Sequence, residues 1–172
     1  MKSLTSIFLG TTVLFSILYF IFPEEWLLSA GITCGTACYH FAMRLMVGAL
    51  VPPVSRSSAW FRPRKWELAF YRLLRVKHWK NHLPTYDPKQ FSLEENTLEQ
   101  VIRNMRSAEV VHEVIMLCSF FPLLVIPIFG AWPVFLITSV LAALFDSLFV
   151  MAQRYNRPRL ERILLKQEAR SK

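Results

Sequence analysis

The sequence predicts an all-α integral membrane protein with four transmembrane helices and an amphipathic interfacial helix in a long cytosolic connection. Hydrophobic residues make up 53% of the 172 residues and aromatic residues 14%, and the mean hydropathy is +0.33. These values exceed those usual for a water-soluble domain. The chain contains long apolar stretches, and its Lys and Arg residues fall mainly in two blocks that each adjoin one of them. We therefore predict a single membrane domain over residues 1–172.

The first two predicted spans occupy the N-terminal third of the chain. Leu4–Phe22 is about 19 residues of nearly unbroken apolar character, long enough to cross roughly 30 Å of hydrocarbon. Lys2 is the only basic residue before it and no A-x-A-like cleavage site is present, so a retained span is favoured over a signal peptide. Trp26–Leu50 is the second span, which an interfacial Trp opens and Pro52 and Pro53 close.

Small residues on the second span predict close packing. Gly31 and Gly35 form a G-x-x-x-G pair beside Cys34 and Cys38, a pattern typical of a helix face that packs on a neighbouring helix. With Cys118 the cysteines number three, and all lie in apolar surroundings. An odd count in such a setting favours free packing residues in a reducing context over a disulfide framework.

The last two spans are predicted to form a hairpin, and charge orients the chain. Residues 110–129 and 132–152 are joined only by Gly130-Ala131, so they should be antiparallel. The loops between spans one and two and between spans three and four contain no Lys or Arg, which places both termini in the cytosol by the positive-inside rule. The cationic residues on that side include Arg56, Arg62, Arg64, Lys65, Arg72, Arg75, Lys77 and Lys80 after span two, and those of a basic tail, 153–172, after span four.

The cytosolic connection, 51–109, is predicted to contain two helices. In the first, apolar side chains recur at near-helical spacing among Arg and Lys, a pattern typical of a helix lying in the lipid headgroups. The second begins with Ser92 as N-cap and Glu95 in a capping box, and we predict one helix from Leu93 to Phe121 that enters the third span. The apolar stripe of the first helix consists of Trp60, Phe61, Trp66, Phe70, Leu73 and Leu74.

Ionisable residues inside the spans are candidate substrate contacts, because a charge in the bilayer is costly unless it is paired or hydrated. Arg44 lies roughly 9 Å from the cytosolic end of span two, at 1.5 Å per residue, and Asp146 lies at a similar depth in span four. The two could form a buried pair that only holds helices together, or Arg44 could snorkel to the headgroups. His40, one turn deeper, could extend this polar seam or be a hydrogen-bonded structural histidine.

A second polar group lies where the connecting helix enters the membrane. Arg106, Glu109 and His112 follow one another at spacings of three, so they share one strip of helix surface. The Glu109 carboxylate could hydrogen-bond the His112 ring and orient it, an arrangement that suits a general base. The alternative is a helix terminus that keeps polar groups at the headgroup level.

The sequence does not favour binding of a metal, a cofactor or nucleic acid. His78 and His82 could share a metal at spacing four, but only four histidines exist and no second pair or H-E-x-x-H completes a set. No G-x-S-x-G, phosphate loop or dinucleotide fingerprint is present, so we predict no cofactor and no covalent Ser or Cys nucleophile. The net charge of +8 is concentrated beside apolar segments, which indicates a membrane surface rather than nucleic acid.

Four segments carry a resemblance to a known family: R-K-W at 64–66, H-W-K-N-H-L-P at 78–84, R-S-A-E-V-V-H at 106–112 and Q-R-Y-N-R-P-R-L at 153–160. Their order resembles the glycosyl-4,4'-diaponeurosporenoate acyltransferase family of small bacterial membrane proteins. Such enzymes esterify a sugar hydroxyl of a glycosylated carotenoid acid with a fatty acyl chain in staphyloxanthin-type synthesis. The resemblance covers roughly Trp60 to Leu165, and the last segment is its most specific part.

This resemblance implies a multi-pass acyltransferase of the bacterial cell membrane whose site faces the cytosolic leaflet. Its partners would be an acyl thioester donor and a glycolipid or glycosyl carotenoid acceptor. His112 would be the general base for the acceptor hydroxyl, with Glu109 fixing its tautomer. The alternative is a non-catalytic lipid-binding or scaffold protein that uses the same basic rim for anionic headgroups. The groups expected to hold the donor's carbonyl oxygen or phosphate are Arg154, Asn156 and Arg157, with Arg106 as an alternative.

Overall fold

The structure, a computed structural model, describes residues 1–55, 58–85 and 87–170. Arg56 and Lys172, which belong to the two predicted basic blocks, lie outside the described residues. The chain divides into two compact units. We call the unit formed by Met1–Leu50 and Val114–Phe145 the apolar unit, and the unit formed by Val51–Glu113 and Asp146–Lys172 the polar unit.

The described residues contain helices and no strands, so the predicted all-helical class is confirmed. Three of their helical stretches are long and apolar enough to cross a membrane: Lys2–Ile21, Leu98–Phe129 and Trp132–Arg170. The second predicted span corresponds to a helix over Glu25–Leu50. This helix is not among the three, and the four-span topology stays a prediction.

Two helices, α1 (Lys2–Ile21) and α2 (Glu25–Leu50), pack along each other in the apolar unit. The rings of Phe8 and Phe41 stack with their centroids 5.5 Å apart. A Cβ added at Gly35 would lie 3.4 Å from a methyl carbon of Thr12, so the glycine allows the two backbones to approach closely. The face on which the G-x-x-x-G pair lies therefore meets α1.

The second half of the apolar unit departs from the predicted hairpin of two unbroken helices. Helix α5 (Leu98–Cys118) ends before a 3₁₀ helix over Phe121–Val125 and a short α6 (Ile126–Phe129). The prediction of one helix from Leu93 to Phe121 is therefore wrong at both ends. At the C-terminal end, Pro122 lacks the N–H that would continue the helical hydrogen-bond ladder. Gly130 then turns the chain with φ of 68°, a left-handed value that suits glycine.

The start of α5 is set by a capping box that differs from the predicted one. The Thr97 hydroxyl accepts from the Gln100 backbone N–H at 3.2 Å, and the Gln100 side-chain oxygen accepts from the Thr97 N–H at 2.8 Å. Ser92 instead accepts from the Glu94 N–H within a turn. The Asn96 side chain donates to the Ser92 carbonyl and stabilises that turn. Thus two overlapping sequence signals competed, and T-x-x-Q defines the helix.

In the cytosolic connection, most side chains of the predicted apolar stripe are exposed. In the polar unit, α3 (Lys65–Leu73) buries Glu67 and Tyr71, and a left-handed Arg75 separates it from α4 (Val76–Trp79). Within the predicted apolar stripe only Phe61 is buried, in a 3₁₀ turn over Ala59–Phe61. An interfacial position for α3 stays a prediction, and its exposed apolar residues are Trp66, Leu68, Phe70 and Leu73.

The longest helix, α7 (Trp132–Arg170), continues through the basic block. Pro158 lies inside it, at a place where the missing N–H removes one backbone hydrogen bond without ending the helix. Helical spacing of three and four then puts Arg154, Arg157 and Glu161 on one face. Of these, Arg154 and Arg157 are buried in the polar unit. The segment predicted as a basic tail is therefore part of the core of that unit.

Candidate active site

The centre of the polar unit is a buried carboxylate between two arginines. The Glu109 side chain, on α5, is 0% exposed. Its Oε1 accepts from Arg154 at 2.8 Å and its Oε2 accepts from Arg157 at 2.9 Å. An isolated carboxylate would be very costly to bury, and pairing with hydrogen bonds to both oxygens offsets that cost.

Arg154 connects α7 to α3 and to the 3₁₀ turn before it. Its guanidinium forms a two-pronged contact with the Glu67 carboxylate, at 3.1 and 3.0 Å. It also donates to the Trp60 carbonyl at 3.2 Å and lies over the Trp60 ring. The Trp60 indole N–H donates in turn to Glu113 at 2.9 Å. A planar guanidinium with five donors is suited to such a junction of several acceptors.

Arg157 and Arg106 extend the network on its other side. Arg157 is 1% exposed and donates to the Phe61 carbonyl at 2.6 Å. Its second terminal nitrogen lies 3.3 Å from the Glu161 carboxylate, which Arg106 contacts at 2.8 Å. Both guanidinium groups lie over the Phe61 ring. We call the whole set the arginine–glutamate network, and its charged members are Arg106, Arg154, Arg157, Glu67, Glu109, Glu113 and Glu161.

Charges within the arginine–glutamate network balance almost completely. Three arginines face four glutamates, so the formal sum is one negative charge. The terminal nitrogens of Arg154 and Arg157 are all engaged by carboxylates or backbone carbonyls. From the sequence, these two arginines were expected to bind the acyl donor. In the structure their terminal nitrogens instead bind groups of the protein itself.

The environment of Tyr71 shows how closed this part of the polar unit is. Its hydroxyl donates to Glu67 at 3.4 Å. Burial, followed by the nearby negative charge of Glu67, raises the pKa of Tyr71 to about 12. The hydroxyl is therefore protonated at physiological pH and acts as a hydrogen-bond donor to the same carboxylate that holds Arg154.

His112 has a carboxylate partner, and it is Asp146 rather than Glu109. The His112 Nδ1 lies 2.9 Å from the Asp146 Oδ1, and the imidazole stacks on the Phe149 ring with centroids 4.5 Å apart and planes 7° apart. Asp146 is 1% exposed, whereas the His112 side chain is 24% exposed. The expected bond from Glu109 to His112 is thus wrong, because both Glu109 oxygens are occupied by arginines. Asp146, predicted as a substrate contact, supplies the orienting carboxylate.

Asn156 belongs to a different group of side chains. Its amide oxygen accepts a hydrogen bond from the Lys80 ammonium, which lies in the 3₁₀ turn over Lys80–His82. Lys80 also approaches the Tyr155 ring, 5.5 Å from its centroid. Arg159 lies over the same ring at 4.0 Å and donates to the Tyr155 hydroxyl at 2.7 Å. The structure thus separates Asn156 from the arginines with which the sequence grouped it.

His40 and Arg44 lie on α2 in the apolar unit. His40 is buried, with its ring edge-on to Tyr39 at 5.4 Å. Arg44 contacts the carbonyls of His40 and Ala142 at 3.4 and 3.5 Å, and it lies over the Phe145 ring at 5.6 Å. The predicted pairing of Arg44 with Asp146 concerns two different units and stays a prediction.

Several residues of the site were missed at the level of sequence. Glu161 could have been found, because it follows Arg157 by four residues on one helix. Glu67 and Trp60 carried no such signal, since their partners are distant along the chain. Lys80 and Arg159 appeared only as members of basic blocks and of two family motifs, with no role assigned to either. Within the described ranges, no group of three or more His, Cys, Asp or Glu is placed to bind a metal ion.

Long apolar helices and a polar unit built on buried ion pairs, with a histidine held by a carboxylate, define the class: a helical membrane protein with a candidate acid–base site. The chain belongs to the glycosyl-4,4'-diaponeurosporenoate acyltransferase family, which it matches over residues 57–166. The resemblance drawn from the four motifs is thereby confirmed. The family is bacterial, and its name indicates acyl transfer in carotenoid biosynthesis. No curated protein and no solved structure matches the chain.

Proposed function

We propose that this protein transfers a fatty acyl group from an acyl thioester in the cytosol to a hydroxyl of a glycosylated lipid, the sugar of a glycosyl carotenoid acid. The single observation that carries the mechanism is the 2.9 Å contact between His112 Nδ1 and Asp146 Oδ1. Family membership supports acyl transfer and a glycosyl carotenoid acceptor. The residue roles are inferred from geometry.

His112 acts as the general base. Because the Asp146 carboxylate can only accept a hydrogen bond, it holds the neutral imidazole as the tautomer with hydrogen on Nδ1, which leaves the Nε2 lone pair for a substrate. The Nε2 makes no hydrogen bond within the described part of the chain. Stacking on Phe149 fixes the plane of the ring. A base with a set tautomer and plane is the arrangement that general-base catalysis requires.

The reaction then proceeds by direct acyl transfer. His112 Nε2 takes the proton of the sugar hydroxyl while the hydroxyl oxygen bonds to the carbonyl carbon of the thioester. The carbon–sulfur bond breaks, and the leaving sulfur receives the proton from the imidazolium. The Asp146 carboxylate, through its contact with Nδ1, stabilises the imidazolium. No covalent enzyme intermediate is needed, in keeping with the lack of a Ser or Cys nucleophile motif.

The arginine–glutamate network supports this base. Glu109 lies one turn from His112 on α5, and Glu113 follows His112 directly, so the carboxylates that Arg154 and Trp60 bind flank the base on its own helix. Arg157 on α7 and Arg106 on α5 both bind Glu161, which lies one turn beyond Arg157 on α7. We therefore assign Arg154, Arg157 and Arg106 a positioning role instead of direct contact with the donor.

The active site faces the cytosolic leaflet of the cell membrane, and both termini are cytosolic in a four-span topology. Support comes from the distribution of Lys and Arg. These residues are concentrated in the polar unit, and none lies in the loop between spans one and two or in the loop between spans three and four. Cysteines placed at Glu25 and at Lys172 test this by labelling from outside the cell. Labelling at Lys172 would contradict the topology.

The test of the proposed base is ester formation by purified protein from an acyl thioester and a glycosyl carotenoid acid. His112→Ala should lower turnover per folded molecule by about 10²–10⁴-fold, as expected for loss of a general base. His82→Ala, at an exposed histidine of the same unit, is the matched control and should retain activity. Near wild-type turnover in His112→Ala would remove this residue from the mechanism and favour a non-catalytic lipid-binding protein.

A further inference from the structure

Two cations in the polar unit approach one aromatic ring without any acidic partner. Lys80 and Arg159 lie 5.5 and 4.0 Å from the centroid of the Tyr155 ring. Neither forms an ion pair with a carboxylate in the parts of the chain that the structure describes. The buried arginines of the arginine–glutamate network, by contrast, each have at least one glutamate. We call Lys80, Tyr155, Asn156 and Arg159 the lysine–arginine cluster.

The two charges disfavour each other. Partial burial lowers the pKa of Lys80, and the positive charge of Arg159 lowers it further. Like charges at short range cost free energy unless an anion lies between or beside them. Lys80 is half-buried and Arg159 is exposed, so an anionic ligand that arrives from solvent can reach the donors of both and offset their repulsion.

Hydrogen bonds inside the lysine–arginine cluster orient its donors. Lys80 donates to the Asn156 amide oxygen, which leaves the Asn156 amide NH₂ as a donor. Arg159 uses one terminal nitrogen for the Tyr155 hydroxyl, and its other N–H groups have no partner in the described ranges. An ammonium and a guanidinium thus lie near one aromatic ring, and the amide NH₂ of Asn156, which binds the ammonium, is a further donor. Phosphate oxygens are the natural acceptors for this set of donors.

We propose that the lysine–arginine cluster binds the phosphate of the acyl donor's pantetheine arm, an inference that rests on the proposed acyl transfer. The chemistry of the other reactants leaves few anions to consider. The thioester carbonyl is neutral, and a glycosyl ester of a carotenoid acid has no free carboxylate. The phosphate that links pantetheine to its carrier is the charged group that remains. Coenzyme A and acyl carrier protein both present this phosphate, so the site serves either source.

The decisive experiment compares donors with and without phosphate. Lys80→Gln and Arg159→Gln should each raise the KM for a phosphate-bearing donor by about 10-fold to 100-fold, the loss expected for a charge-assisted hydrogen bond, with kcat unchanged. With S-acyl pantetheine, which lacks the phosphate, the same variants should behave as wild type. Arg162→Gln, at an exposed arginine of the same helix, is the matched control, and Lys80→Arg should restore much of the affinity.

The donor source is read from parallel assays with acyl-coenzyme A and with acylated carrier protein. The variants should raise KM for both donors, and the donor with the higher wild-type kcat/KM is the physiological class. Equal losses with S-acyl pantetheine, or no loss with any donor, would overturn the proposal. So would loss of binding to anionic vesicles with donor KM unchanged, because the anion would then be a lipid headgroup.

Binding without turnover separates this inference from the proposed catalysis. Equilibrium binding of coenzyme A to the purified full-length protein should weaken in Lys80→Gln and Arg159→Gln and stay unchanged in His112→Ala. If wild type binds coenzyme A and carrier protein no better than Arg159→Gln does, the cluster is not a donor site. That result would leave His112 untouched as the base.

Discussion

The apolar and polar units are held together by different physics. In the apolar unit α1 buries no residue, and Phe20 is 91% exposed. Its helices meet through stacked rings and a glycine approach, and they line an apolar cavity of about 440 Å³. The polar unit instead buries Glu109, Arg157 and Asp146 almost completely. Apolar side-chain packing therefore stabilises the apolar unit, and buried ion pairs stabilise the polar unit.

This difference has consequences for how each unit responds to substitution. Apolar packing is graded, because a changed side chain alters contacts and volume by a limited amount. Buried charge is not graded, since one missing partner leaves the other charge in a medium that solvates it poorly. We therefore expect the largest losses of stability from single changes in the arginine–glutamate network.

The largest expected effect is at Glu109. Glu109→Gln removes the charge that both Arg154 and Arg157 face, and it should lower the free energy of unfolding by about 3–5 kcal/mol. Thermal melting in detergent micelles measures this. The exposed Lys89–Glu95 pair provides the matched control, and Glu95→Gln should change stability by less than about 1 kcal/mol. Equal melting of the two variants would contradict the charge-based account of the polar unit.

Asp146→Asn separates catalysis from stability within the polar unit. With the orienting charge removed, turnover should fall by about 10²-fold with the KM for both substrates unchanged, and Asp146→Glu should recover part of the rate. Steady-state kinetics on purified protein measures the split between kcat and KM. If Asp146 served only as the predicted buried partner of Arg44, Arg44→Met would lower folded yield as much, and turnover per folded molecule would be normal in both.

Two glycines of α2 test the packing account of the apolar unit. Gly35→Leu places a side chain where a Cβ would already be 3.4 Å from Thr12, so overpacking should cost about 1–3 kcal/mol. Gly48→Leu on the same helix meets nothing within 4 Å and should fall within about 0.5 kcal/mol of wild type. Melting in micelles compares them. Similar losses in both variants would indicate helix-wide effects and no specific approach of α1.

The smallest expected effect concerns the start of α5. Thr97→Ala removes the hydroxyl of the capping box and should cost about 1 kcal/mol. Ser92→Ala, at the cap predicted from sequence, should change stability by less than about 0.5 kcal/mol. The two melting temperatures decide between the helix starts. A larger loss for Ser92→Ala would place the helix start at Leu93 after all.

Much of the architecture was predictable because it depends on local pattern. Long apolar runs bounded by Pro and charge located α1 and α2 to within about two residues, as hydropathy does for membrane helices. The break at Pro122 and the choice of Thr97 over Ser92 were not recognised, since competing local signals differ by about 1 kcal/mol and the tertiary setting decides between them. Within the candidate site, the sequence indicated a carboxylate partner for His112, and the structure gives it one. Spacing along the helix suggested Glu109 as that partner, whereas the partner in the structure is Asp146.

The sequence by itself determined that this is an all-helical protein with helices long and apolar enough to cross a membrane and that it belongs to an acyltransferase family, because hydropathy and the four motifs are properties of short segments. Only the tertiary structure decided which charges meet. Glu109 was expected to face His112, yet two arginines from α7 occupy it, and Asp146 takes its place. The physical reason is that a buried charge selects the partner that satisfies most of its hydrogen bonds, and that partner lies far away along the chain.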